Sequence, residues 1–249
     1  VHLAAGAIAA GSADIVVAGG AENMSRVPMG SNRQIHGEAF GWMAAQRYEL
    51  TSQGEAAERI ADKWSLSRDA LDDFAFASHQ RAAAASDAGY FDNEIVPVAV
   101  EELRELELTE SVAVLRQDET IRRDTSREKL STLKTSFRPD TGRITAGNSS
   151  QISDGAAALL LMSADTAKKL GLRARARVVA FTTVGSDPTL MLTGPMAATR
   201  KVLGKAGLDI NDIDLFEVNE AFASVPLAWM QETGVSPDKL NVNGGAIAL

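Results

Sequence analysis

The apolar positions of this chain keep two rhythms, one helical and one extended, and the two alternate along its length. "VHLAAGAIAAG" at the start spaces its apolar residues as a helix does, with Gly11 suited to the helix end. Residues 53 to 64 predict a helix with Ala56, Ile60 and Trp64 on one stripe. Ser67 reads as the N-cap of a longer helix that ends near Gly89, with Leu71, Phe74, Ser78, Ala82 and Ala85 facing inward. Gly194 and Pro195 open a helix running to about Gly207, and "AFASVPLAWMQETG" predicts another. The extended rhythm predicts a buried strand in "DIVVAGGAE", running into a glycine turn, and an all-apolar strand in "SDGAAALLLMS". "ARVVAFTTVG" reads as a strand opening a second unit, followed by strands in "DLFEVN" and in "LNVNGG". Residues 26 to 50 are polar and without a clear period. From Asp92 to Gly147 the chain is charged and loop-rich, with short extended pieces at 94 to 100 and 112 to 116. The alternation predicts two α/β units separated by a mostly irregular and helical insertion.

Composition narrows the classes. A chain of 249 residues with 45% hydrophobic content can bury a large core, as one big domain or two ordinary ones. Apolar runs such as "AAALLLM" are too short to span a bilayer, and no basic stretch followed by an apolar core opens the chain, so a cytoplasmic protein is expected. There is no cysteine, which excludes disulfides and thiolate metal sites from these residues. A net charge of −8 argues against general binding to nucleic acid or to anionic membranes. The stretch from Arg116 to Arg138 runs the other way, with seven basic residues against four acidic ones. On charge alone it is either a solvated surface loop or a landing place for a phosphate-bearing ligand, which arginine suits.

Self-contained catalytic machinery is sparse. His2, His36 and His79 lie far apart, and His79, in an alanine-rich helix, reads as a surface or packing residue. No zinc or calcium spacing, P-loop or dinucleotide fingerprint appears. The informative place is "DIDLFEVNEAFASVPL", where Asn219 and Glu220 sit between an apolar run and a helical pattern. Burying such groups costs free energy unless they find partners, and open α/β sheets place ligands at strand ends. The junction is therefore a polar anchor for the turn or part of a site.

Four segments carry a family likeness. "DIVVAGGAENMS" at 14 to 25, "TAGNSSQISDGAAALLLMS" at 145 to 163, "VNEAFA" at 218 to 223 and "NVNGGAIAL" at 241 to 249 together resemble the thiolases, acyl-CoA:acetyl-CoA acyltransferases that reversibly cleave 3-ketoacyl-CoA. The likeness runs end to end, through "SLSRDALDDFAFASHQRA" and "GYFDNEIVPV". It implies a thiolase-like α/β fold of two βαβ-type layered halves with an inserted loop domain, truncated at both termini. Residues 1–25 and 151–173 would belong to the N-terminal half, 26–150 to the loop domain over the CoA site, and 174–249 to the start of the C-terminal half. By the same likeness the nucleophilic cysteine lies just upstream of Val1. The catalytic histidine of a Gly-His-Pro motif, and then a second cysteine, lie beyond Leu249. The chain as it stands is expected to be inactive, since the first step needs a thiolate.

What the resemblance implies for the site is specific. Asn219 is expected to hold a water that completes an oxyanion hole with the missing histidine, and Glu220 to orient that site or to support the junction. Ser150 matches a serine bonded to the pantetheine amide, Ala146 lines the same tunnel, and Arg122 matches an arginine that stacks on the adenine. Met191 matches a methionine near the acyl pocket, against an even reading as core packing, and Phe222 is expected to pack on ligand or core. Gln151 and Ser153 depart from the commoner glycine and asparagine of this segment. Glu49, Leu50 and Thr51 stand where acetoacetyl-CoA-specific enzymes carry His-Met-Gly, which favours longer or bulkier 3-ketoacyl-CoAs in fatty-acid or related degradation. Coenzyme A enters as a substrate; no separate cofactor and no metal are expected. The expected partners are CoA and acyl-CoA thioesters, not nucleic acid or membrane, with a homodimer or homotetramer when intact. The alternatives are a catalytically dead acyl-CoA-binding protein and a scaffold subunit of a β-oxidation complex.

Overall fold

The structure, a computed structural model, describes residues 1–38, 40–99 and 114–249. Along the chain the elements are α1 (His2–Ala9), β1 (Ile15–Asn23), α2 (Ser31–His36), α3 (Trp42–Arg47), α4 (Gln53–Lys63) and α5 (Arg68–Asp87). The short strands β2 (Val98–Ala99) and β3 (Val114–Leu115) follow, then α6 (Arg127–Ser131), β4 (Asp154–Met162), α7 (Ala164–Lys169), α8 (Gly194–Ala206) and α9 (Ser224–Thr233). They fall into two compact units, Val1–Leu50 with Ile152–Ile213, and Thr51–Gln151 with Asp214–Leu249.

In the first unit β1 and β4 form one antiparallel ladder, in register from Ile15 opposite Met162 to Asn23 opposite Asp154. The far end is tied by Ser25, whose backbone N–H (2.9 Å) and hydroxyl both donate to the Asp154 carboxylate. The ladder differs from the sequence expectation in one respect. Both strands were expected to be buried, yet Val17, Leu159 and Leu160 are exposed. The ladder has only two strands and α1 is the helix laid on it, so most of its apolar surface meets no cover among the described residues. For the same reason residues 176–185 form no strand: extended backbone needs a ladder partner, and the described residues offer none. Helix α8 forms as expected, opened by Pro195 and closed by Gly207 in the left-handed conformation (φ 68°).

The second unit holds the core. α4 packs on α9, and α5 packs on α6, on α9 and on the turn Ala146–Asn148. The caps are those expected of the sequence: the Ser67 hydroxyl accepts from the Ala70 N–H (3.1 Å), and Gly89 takes a positive φ of 72° past the end of α5. Ala56, Ile60, Leu71, Ala75 and Ala82 are fully buried, as is Trp229 of α9, whose ring lies 5.1 Å from that of Phe216. Truncating such a tryptophan typically costs about 3–5 kcal/mol. Arg138 bridges Glu55 and Asp62 at the edge of α4 (2.6 and 2.7 Å). The expected strands at 214–219 and 240–245 shrink to isolated parallel bridges, Phe216 with Leu240 and Val242 with Gly244. The expected extended pieces survive as the β2–β3 pair, with residues 100, 112 and 113 outside the described residues.

Candidate functional site

The junction at Asn219 and Glu220 separates two neighbouring side chains by environment. Asn219 is exposed, while Glu220 is 1% exposed. A carboxylate at that depth must be satisfied by donors. The Ser78 hydroxyl of α5 donates to Oε2 (2.7 Å), the Ile247 N–H donates to the same oxygen (3.1 Å), and the Asn241 amide donates to Oε1 (2.8 Å). Asn241 also exchanges two bonds with the Val218 backbone, at 2.8 Å each, and the Ser78 oxygen accepts from the Gly245 N–H (3.1 Å). Glycine is required here: a Cβ on Gly245 would sit 2.5 Å from the Glu220 carboxyl carbon. The "NVNGG" turn is thus folded around the glutamate, and the asparagine beside it is left facing outward.

The loop at 145–151 is positioned by buried acids in the same way. Glu58 of α4 accepts from the N–H groups of Arg143 (3.0 and 2.9 Å) and Ile144 (2.9 Å). Asp72 of α5 accepts from the Asn148 amide (2.8 Å), whose oxygen takes the Thr145 N–H (2.9 Å). The loop then runs against the 219–223 box. Ser150 N–H donates to Ala221 O (3.0 Å), Ala223 N–H donates to Asn148 O (2.9 Å), and Ser149 bridges Phe222. Phe222 is 8% exposed and meets Phe137 edge-on at 6.0 Å between centroids, so its ring is core.

A cleft of about 210 Å³ opens on the outer side of this loop. Arg122, Lys129, His79, Ala146, Gly147 and Gln151 are among its lining residues. The Arg122 N–H donates to His79 Nδ1 (3.2 Å), while the exposed Arg122 guanidinium forms no ion pair among the described residues. Burial, and then the Arg122 charge, push the His79 imidazole down to about 4, so at neutral pH it is an uncharged acceptor. Lys129 is engaged by Asp124 (2.7 Å), whose carboxyl that bond holds below the usual carboxylate range.

Of the residues singled out in sequence, Asn219, Glu220, Ser150, Phe222, Ala146 and Arg122 lie in the second unit, the last two lining one cleft. Met191 belongs to the first unit, at a positive φ of 25°, in a loop whose Thr189 hydroxyl donates to Glu49 O (3.0 Å). The methionine and the Glu49–Leu50 stretch therefore share one neighbourhood. The sequence marks His79 only as a surface or packing residue and Gln151 only as a departure from glycine, and nothing in it singles out Glu58 or Asp72. His79 had a usable signal, since it falls on the same helical face as Ala75 and Ala82.

Comparisons with known proteins agree across the chain. Family models for the thiolase N-terminal domain and the thiolase C-terminal domain match residues 1–165 and 172–249. An acetyl-CoA acetyltransferase of Chromobacterium violaceum is 45% identical over the whole chain, which covers 64% of that protein. A steroid 3-ketoacyl-CoA thiolase of Mycobacterium tuberculosis is 43% identical, with 100% and 60% covered. The dimeric peroxisomal thiolase of Saccharomyces cerevisiae superposes with a TM-score of 0.87 at 35% identity, covering 98% of this chain and 61% of that one. The acetyl-CoA acetyltransferase of Bacillus anthracis gives 0.83 at 36%, with 100% and 64% covered. The chain spans about three fifths of the length of these relatives. With both domain models matched in order and the fold shared, the chain belongs to the thiolase family.

Proposed function

We propose that this chain is the CoA-holding part of a thiolase that cleaves 3-ketoacyl-CoA with CoA, giving acetyl-CoA and a shortened acyl-CoA, or runs the reverse condensation. The observation that carries the reading is the cleft lined by Arg122, Lys129 and Ala146, in the unit whose Asn219 carboxamide is left unburied by the fold. In the forward direction a thiolate adds to the C3 carbonyl, the C2–C3 bond breaks, and the acetyl-CoA enolate takes a proton. The thiolate of free CoA then removes the acyl group from the enzyme sulfur. The enzyme thiolate is not among these 249 residues, which contain no cysteine. What they contribute is binding and a hydrogen-bond donor: Asn219 holds a water that faces the thioester oxygen on which charge grows. Losing one such donor typically costs about 10²–10³ in kcat. Ser150 holds the pantetheine arm, and Arg122 lies against the adenine end. Glu49 and Leu50, tied to the Met191 loop, favour longer or bulkier acyl groups, in line with the steroid 3-ketoacyl-CoA thiolase among the relatives, within a degradative enzyme that assembles as a homodimer or homotetramer.

Calorimetric titration of the chain with CoA tests the reading. Binding is expected, weakened roughly tenfold, about 1.4 kcal/mol, by Arg122→Ala at unchanged thermal stability. Failure of CoA to bind at millimolar concentration would sink it. Binding that persists while the gene's full product shows no thiolysis would favour the dead acyl-CoA-binding protein instead.

A further inference from the structure

Gln151 lines the cleft, and it also reaches the last turn of the chain twice. Its backbone N–H donates to Ala246 O (3.0 Å), and its side-chain Nε2 donates to Ile247 O (2.7 Å). The next carbonyl, Ala248 O, accepts from the hydroxyl of Thr120 (2.9 Å), which lies two residues before the cleft-lining Arg122. Three successive carbonyls of the 246–248 turn are therefore held by two segments that build the cleft. The orientation of the Gln151 amide follows from chemistry, because a carbonyl only accepts and must be met by the NH2 end. From inside, the Ile247 N–H is held by Glu220 Oε2 (3.1 Å). The turn thus stands between the cleft wall and the glutamate that abuts Asn219, with a hydrogen bond on each side.

We propose that Gln151 and Thr120 are positioning residues, a clasp that fixes the 246–248 turn to the cleft wall so that a ligand filling the cleft tightens the turn and, through Glu220, steadies Asn219. A glutamine at position 151 is what makes the clasp: methionine would fill the same space with no donor, and a glycine would leave only the backbone bond. The ligand part of this proposal rests on the cleft being the CoA site.

Hydrogen exchange at the Ala248 and Leu249 amides, both bonded to Gly245 O (2.8 and 2.9 Å), reads the turn directly. The full chain is compared as wild type, Gln151→Met, Thr120→Val and Thr120→Ser, each with and without saturating CoA. Without ligand, Gln151→Met and Thr120→Val are expected to speed exchange roughly fivefold, the factor for one net hydrogen bond, while Thr120→Ser, which keeps the hydroxyl, stays near wild type. With CoA, exchange in wild type slows by a similar factor and Gln151→Met loses most of that slowing. Wild-type exchange rates in the ligand-free Gln151→Met and Thr120→Val chains overturn the clasp, and equal CoA-induced slowing in wild type and Gln151→Met overturns the coupling. If Gln151→Met does not fold, the Thr120→Val and Thr120→Ser pair decides. If CoA fails to bind wild type, the functional reading falls, and the ligand-free comparison still judges the clasp.

Discussion

His79 provides the sharpest test of the buried architecture, because it must stay uncharged to do what it does. Its imidazole is 2% exposed, accepts the Arg122 N–H, and is held near 4 in the folded chain against 6.5 for the free side chain. A depressed folded value means that its contribution to stability is intact above the unfolded value and is lost as pH falls through the window from 6.5 to about 4. Between pH 7.5 and 4.5 this linkage amounts to about 2.5 kcal/mol. Glu217 opposes it: partial desolvation, and then the Glu220 charge, push its carboxyl up to about 7, so it takes up a proton on folding over the same range. Glu217 is an exposed residue, and solvent screening shrinks that contribution. Glu55, drawn down to about 2 chiefly by its bond to Arg138, loses stability only below its ordinary value of 4.5. Urea midpoints measured from pH 7.5 to 4.5 for wild type and for His79→Asn separate these effects, since asparagine keeps an acceptor near Nδ1 without titrating. The wild-type curve should fall relative to the variant by about 2 kcal/mol or more. Parallel curves would refute the assignment of the drop to His79.

Gly245→Ala should cost at least about 1–3 kcal/mol in chemical denaturation, because its Cβ would lie 2.5–2.8 Å from the Glu220 carboxyl atoms. Gly204→Ala in α8, where nothing lies within 4 Å, should instead stabilise by about 0.5–1 kcal/mol. Glu58→Gln turns an NH2 donor toward backbone donors and should cost about 1–3 kcal/mol, read by the same denaturation and by faster exchange at Arg143 and Ile144. Asn219→Ala should leave stability within about 0.5 kcal/mol, whereas Glu220→Ala strands three donors and should cost several times more. A common loss of stability in both variants would contradict the separation of roles at that junction.

What the sequence disclosed depended on how far apart the interacting residues are. α4, α5, α8 and α9 were legible because a helix closes its own hydrogen bonds and its caps lie within a few residues, as Ser67 and Gly89 show. The runs at 14–22, 153–163 and 176–185 all carry the composition of strands, the first of them of a buried one. Only the first two found each other, and neither is covered well among the described residues. At the junction, sequence located Asn219 and Glu220 but left anchor and site as rival readings. The fold gives the anchoring to the glutamate and leaves the amide outward. The His79–Arg122 and Gln151–Ile247 bonds span 43 and 96 residues, and no local pattern announces them.

The acids explain why loops this irregular hold their shape. Around the cleft the described residues make almost no ladder, so their N–H groups lack the partners that a sheet would supply. Buried carboxyl groups take that place. Glu58 receives the amides at 143 and 144, Asp72 fixes Asn148 and through it Thr145, and Glu220 receives Ile247 and, through Ser78, Gly245. At two of the three a glycine marks the contact, because a Cβ on Gly142 would lie 2.7 Å from Glu58 Oε1 and one on Gly245 2.7 Å from Glu220 Oε1. An acid in the middle of a helix or just before one, paired with a distant glycine in a loop, is thus a device for seating backbone where no strand runs. In this chain such pairs seat the two loops that bring Ser150 beside the 219–223 box and leave the Asn219 carboxamide as the group the fold has not used.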